Sequence, residues 1–206
     1  MSVHRLLVLT DRAQAASAGH DVAAVADAAL AAGASAVVLR ERDLPTAERR
    51  ALAVDLEARA AAHGQRLLIA GDIALATEVG AAGAHLSAAD PLAAGDGLIV
   101  GRSCHDRAEV AAARAAGVDY VTVSPVAATA SKPGYGPALG PGGFARLAAA
   151  AGDLPVLALG GVTAANARAW LNAGASGVAV MGAVMRAPDP AEATAELLAV
   201  LSKELA

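Results

Sequence analysis

Cysteine is almost absent: Cys104 is the only one in the chain. A disulfide within the chain is therefore impossible, and a cysteine metal cluster is excluded. Aromatic residues make up 2% of the sequence, against 56% hydrophobic residues overall. The core must come from Val, Leu, Ile and much Ala, which suits tightly packed helices over a small-residue sheet. There is no basic block, and the formal net charge is −4. Nucleic acid and acidic membrane surfaces are poor partners for such a chain. No apolar run reaches roughly 18 residues, so no membrane span is expected. The start, Met1-Ser2-Val3-His4-Arg5, runs straight into a strand without a signal-peptide design. A soluble protein of a reducing compartment, the cytoplasm, is expected. Its 206 residues suit one domain spanning 1–206. Homo-oligomerisation is left open.

What is present is a rhythm. Short β-rich runs begin at Arg5, Ala36, Arg66, Ala84, Leu98, Tyr120, Pro155 and Gly177. Most are continuous apolar runs, as expected for strands buried on both faces. Ala-rich helical stretches lie between most of them. Leu52 and Leu56 share one helix face, as do Leu197, Leu201 and Leu205. Asp189-Pro190-Ala191-Glu192 reads as a helix start. Ala31-Ala32-Gly33, Val79-Gly80, Ala115-Ala116-Gly117 and Asn172-Ala173-Gly174 each end a helical pattern just before a strand. One helix–Gly–strand unit used four times implies repeated β/α architecture. The expected fold class is α/β, a (β/α)8 TIM barrel. A doubly wound open sheet is the rival. The weakest connection follows the run at Ala84, where no convincing helix precedes Leu98.

Candidate chemistry gathers after the strands. Arg40 and Arg42 end the second run, and two guanidinium groups there could grip an oxyanion. A solvated charge cluster is the alternative. Gly160, Gly161 and Thr163 follow the seventh run. There the backbone can approach a ligand and a helix start can cradle phosphate. Met181 and Gly182 after the eighth can complete that cradle, and barrels frequently bind phosphate at this place. Ser124 to Gly143 holds four of the nine prolines and five glycines. Such a loop cannot be regular throughout and reads as an active-site loop. Within it, Thr129, Ser131 and Lys132 suit a phosphate or pyrophosphate. Asp90 could ligate Mg²⁺ or cap a helix. Asp72 could be a second ligand, although a helix cap is the first reading. Ser103 could donate a hydrogen bond to a leaving group. His105 could act as an acid–base group, or simply occupy a helix start. His85 reads as a satisfied interior histidine, and Cys104 as a small buried apolar residue.

The pattern resembles the thiamine phosphate synthase and TenI family over nearly the full length. The resemblance rests on Val38-Leu39-Arg40-Glu41-Arg42, Gly83-Ala84-His85-Leu86 with Asp90, and Gly101-Arg102-Ser103-Cys104-His105. It continues in Ser124-Pro125-Val126 through Thr129-Ala130-Ser131-Lys132-Pro133, in Gly160-Gly161-Val162-Thr163, and in Gly177 to Gly182. It implies a transferase that joins a hydroxymethylpyrimidine pyrophosphate to a thiazole phosphate and releases pyrophosphate. Arg40, Arg42 and Lys132 would hold the pyrophosphate. Ser103 would contact the pyrimidine or the leaving group. Thr129, Ser131, Gly161, Met181 and Gly182 would bind the thiazole phosphate, and Asp90 would ligate Mg²⁺.

The chain also departs from that pattern. The family's glutamine falls on Val38, its lysine on Arg42, and its Asn-Asp pair on Ala70-Gly71, which removes one metal ligand. The glycine at 71 resembles the TenI branch, the thiazole tautomerases, yet that branch's histidine falls on Pro125. Three activities are therefore in view. A synthase comes first, with a tautomerase using His105 and a non-catalytic thiazole or thiamine phosphate binder as alternatives. All three take small phosphorylated molecules.

Overall fold

The computed structural model describes residues 5–92, 97–129 and 137–202. Among them, eight strands run in parallel: β1 (Leu6–Leu9), β2 (Ala36–Leu39), β3 (Arg66–Ala70), β4 (Gly83–Leu86), β5 (Ile99–Cys104), β6 (Tyr120–Val123), β7 (Val156–Leu159) and β8 (Gly177–Val180). They pair in chain order, and β8 returns to β1 to close a barrel. The open-sheet alternative is thereby removed. The helices are α1 (Arg12–Ser17), α2 (Val22–Ala31), α3 (Thr46–Ala62), α4 (Ile73–Val79), α5 (Arg107–Ala115), α6 (Gly140–Ala151), α7 (Ala164–Asn172), α8 (Gly182–Met185) and α9 (Pro190–Ser202). The four glycines of the sequence repeat follow α2, α4, α5 and α7, each with positive φ, and each leads into the next strand. The connection from β4 to β5 has no helix among its described residues.

Strand alternation divides the apolar residues into two cores. Leu6, Val8, Val37, Leu39, Leu67 and Ile69 point outward and pack under the helices. The helices meet them with alanines such as Ala26, Ala29, Ala53 and Ala60, all fully buried. Small side chains let helix backbones lie close to the sheet. Leu56 is buried and Leu52 packs beside it, as their spacing requires. Leu197 and Leu201 do the same on α9, while Leu205 lies outside the described residues. Asp189 accepts the amides of Ala191 and Glu192 and so starts α9.

The inner core is small: Leu7, Leu9, Ala36, Val38, Leu68, Ala70, Tyr120, Leu157 and Ala179. Tyr120 is its one aromatic ring, and room for it exists only because its neighbour on β5 is Gly101. A Cβ at Gly101 would collide with the Tyr120 phenol. β5 itself runs three residues beyond the apolar run read from the sequence, to Cys104. Gly101, Arg102 and Ser103 hide that continuation in sequence, yet ladder pairing with β6 carries it on. Ser103 is thus a strand residue facing the barrel interior rather than a loop residue. Replacing Gly101 by Ala should overpack this core and cost about 1–3 kcal/mol. Urea denaturation measures this, and an unchanged midpoint would show that the ring is not confined by residue 101.

Candidate active site

Strand ends place the side chains. Arg40 and Arg42 leave β2 with Glu41 between them, and alternation sends Glu41 the other way. Glu41 is buried and accepts the Arg12 amide at 3.1 Å and the Arg12 guanidinium at 3.2 Å, pinning the start of α1. Buried Thr10 accepts the Arg40 amide through Oγ1 at 2.9 Å. With the backbone held on both sides, both arginines face a cavity of about 710 Å³ at the C-terminal mouth of the barrel. Ser103 and Thr129 share that cavity, and so do Gly160, Gly161, Met181 and Gly182. Thr163 and His105 border it too, so ten of the candidate residues meet in one hollow. Ser131 and Lys132 lie outside the described residues.

The far wall is backbone. The loop after β6 crosses the β7 loop, with the Val126 amide donating to Leu159 O and the Ala127 amide to Gly160 O, both at 3.0 Å. Gly161 has φ +73°, and a side chain there would strike the Ala128 carbonyl. Thr163 caps α7, and Asn166 answers it by accepting the Thr163 amide at 2.9 Å. This reciprocal box satisfies amides that an anion would otherwise have at that helix start. The cradle read from the sequence is accordingly narrower at Thr163. The Gly160–Gly161 turn and the Met181–Gly182 turn remain on the cavity wall. Arg186, missed in the sequence, also lines it, its guanidinium lying against Gly182 and bonded to Gln14. Its position four residues after Gly182, at the end of α8, was the available signal. The last residues of the proline-rich loop, from Gly140 on, already belong to α6.

The cavity floor is a polar chain inside the barrel. His85 Nδ1 meets the Tyr120 hydroxyl at 2.9 Å, and His85 Nε2 meets Ser103 Oγ at 2.9 Å. Thr122 Oγ1 lies 3.4 Å from Ser103 Oγ. His85 is thus the satisfied interior histidine expected. Burial pushes its imidazole down to about 4; the Asp90 charge opposes the shift and the Arg102 charge adds to it. Burial also pushes the Tyr120 phenol up. At neutral pH the chain from phenol to imidazole to hydroxyl carries no charge, and its role is to fix the direction of Ser103 Oγ. The Cys104 thiol points outward into the helix-facing core, and burial pushes it up to about 12. His105 precedes the α5 cap, its Nδ1 2.9 Å from Glu109 Oε2.

The two aspartates have separate fates. Asp72 accepts the Leu75 amide at 2.9 Å as the N-cap of α4 and pairs with Arg49 at 3.1 Å. Asp90 accepts Arg42 Nη2 at 2.9 Å, Arg42 Nη1 at 3.2 Å and the Ser87 amide at 2.7 Å. Arg102 holds the same turn from behind, donating to Asp90 O at 2.6 Å and Ala88 O at 2.8 Å. Partial burial would raise the Asp90 carboxyl, but Arg42 and Ser87 outweigh it and hold it at about 2. Among the described residues, no three His, Cys, Asp or Glu side chains come together as a metal would need. As arranged, the donor set beside Asp90 does not fit a divalent ion held by the protein.

Three comparisons bear on this geometry. A family model described as thiamine monophosphate synthase matches residues 6–184. A provisionally named thiamine-phosphate synthase of Geobacter sulfurreducens is 42% identical over 204 residues, 95% of this chain and 93% of that protein. The thiamine-phosphate synthase of Salinispora tropica is 39% identical, over 98% of this chain and 99% of its own. Among solved structures, a thiamine phosphate pyrophosphorylase from Pyrococcus furiosus superposes with a TM-score of 0.87 at 28% identity, covering 99% of this chain and 98% of that one.

Because His85 is neutral when folded and titrates near 6.5 when unfolded, the unfolded state takes up its proton first as pH falls. Stability should hold above pH 6.5 and decline between 6.5 and about 4, by on the order of 3 kcal/mol from this group. Denaturant midpoints at pH 7 and pH 5 read the effect. His85→Gln should flatten that part of the profile, and an equal decline in the variant would assign it elsewhere.

Proposed function

This chain belongs to the thiamine monophosphate synthase family, and from that premise we propose that it is a thiamine-phosphate synthase. It is a transferase of thiamine biosynthesis that joins a hydroxymethylpyrimidine pyrophosphate to a thiazole phosphate. The observation that carries the reading is the convergence of Arg40, Arg42 and Ser103 with the Gly160–Gly161 and Met181–Gly182 turns on one cavity. Such a hollow offers guanidinium groups and backbone turns together, as two phosphorylated substrates require. Ser103 lies on its floor.

The chemistry follows from charge. The carbon–oxygen bond to the leaving pyrophosphate breaks and the pyrophosphate keeps the electron pair. The pyrimidine methylene becomes electron-poor, and the thiazole nitrogen donates its lone pair to form the new carbon–nitrogen bond. Arg40 and Arg42 stabilise the charge growing on the leaving oxygens. Ser103, its direction set by His85, donates a hydrogen bond to the pyrimidine or the departing oxygen. Met181, Gly182 and the glycine turn hold the thiazole phosphate, so that its nitrogen faces the methylene carbon. The relatives' names favour this synthesis over the tautomerase reading.

A cytoplasmic location goes with this reading. The single buried thiol needs no oxidising compartment. No helix of the described residues is long and apolar enough to cross a membrane.

Incubation with both substrates should yield thiamine phosphate and pyrophosphate in equal amounts. Arg40→Ala should lower kcat by about a hundredfold or more while leaving the fold intact. Absence of product from the wild-type chain, with and without Mg²⁺, would overturn the assignment.

A further inference from the structure

Resting on the synthase reading, we propose that this site supplies its own cation: Arg42, seated on Asp90 over Gly71, binds the diphosphate where a protein-held divalent ion would otherwise be needed. The seat is built from three positions far apart in sequence. Arg42 meets Asp90 fork to fork at 2.9 and 3.2 Å, the geometry that fixes a guanidinium plane best. Gly71 makes the space. A Cβ there would stand 2.7 Å from Arg42 Cζ and Nη2 and 2.9 Å from Nη1, so any side chain at 71 displaces the guanidinium. The Asp90 turn is itself braced by Arg102 from behind.

The same contacts disfavour a protein-held ion. Both Asp90 oxygens already accept, and the other candidate ligand, Asp72, caps α4 and pairs with Arg49. Residue 71, whose side chain would reach the Arg42 guanidinium seated on Asp90, carries none. Arg42, by contrast, spends two of its five donors on Asp90 and borders the cavity beside Arg40. Two guanidinium groups on one wall offer a diphosphate bidentate donors on a fixed plane. A metal that enters with the diphosphate would be held by the diphosphate's own oxygens.

The test reads binding in the whole chain rather than turnover. Mn²⁺ is titrated into the protein with free Mn²⁺ followed by electron paramagnetic resonance, and inorganic pyrophosphate is titrated calorimetrically in EDTA. The wild type should leave Mn²⁺ free and bind pyrophosphate without metal. Arg42→Gln should weaken that metal-free binding by about tenfold or more. Gly71→Asp, a residue type that tolerates the φ of +68° at this position better than most, should lose it similarly and gain Mn²⁺ uptake. Circular dichroism checks that each variant folds. Stoichiometric Mn²⁺ uptake by the wild type, abolished in Asp90→Asn, would overturn the inference, as would pyrophosphate binding that appears only with Mg²⁺. Metal-free pyrophosphate binding without any thiamine phosphate synthesis would instead sink the synthase reading alone.

Discussion

Closure of the barrel is the constraint on which everything else depends. Eight short parallel strands have no free edge once β8 pairs with β1, and each is buried on both faces. Polar groups then stand mostly at strand ends or inside, and each buried one must find a partner. The chain uses both options. Arg40 and Arg42 stand at an end. His85, Ser103, Thr122 and Tyr120 stand inside and satisfy one another. A single missing side chain, at Gly101, lets the Tyr120 ring complete this interior.

The interior chain links packing to chemistry. Tyr120 is both the largest side chain of the inner core and the anchor of His85. His85 in turn holds Ser103, which lines the cavity. Burial keeps the imidazole neutral, so the hydroxyl is oriented without a buried charge beside the cavity. Charge is concentrated instead on the two arginines of β2. The cavity lining is therefore mixed: guanidinium groups stand at Arg40 and Arg42, Arg40 Nη1 lies 3.9 Å from Met181 Sδ, and the β7 and β8 turns add glycine backbone with Arg186 at their edge.

Much of the fold was legible in the sequence because it is local. Apolar runs buried on both faces mark strands, and Gly after an Ala-rich stretch marks a helix end. The four repeats at Gly33, Gly80, Gly117 and Gly174 required no tertiary knowledge. The continuation of β5 through Arg102-Ser103-Cys104 was not legible, since ladder pairing with β6 rather than hydrophobicity sustains it. In the site, Arg40 and Arg42 were readable from their alternation about Glu41. The grip of Arg42 on Asp90 was not, because it spans 48 positions and depends on the absence of a side chain at residue 71. Asp72 was ambiguous between cap and ligand until the Leu75 amide and Arg49 could be placed around it. The Thr163–Asn166 box was not legible because Asn stands where the usual signature has Glu or Gln.

The central claim is that one hollow receives two phosphorylated groups, one at the β2 arginines and one at the β7 and β8 turns. A crystal structure with thiamine phosphate and pyrophosphate bound tests it most directly. The account predicts the pyrophosphate against the Arg40 and Arg42 guanidinium groups, the ester phosphate at the Gly161 and Gly182 turns, and the methylene bridge beside Ser103. Ligands found outside this cavity, or a pyrophosphate lying at the glycine turns with the two arginines untouched, would contradict it.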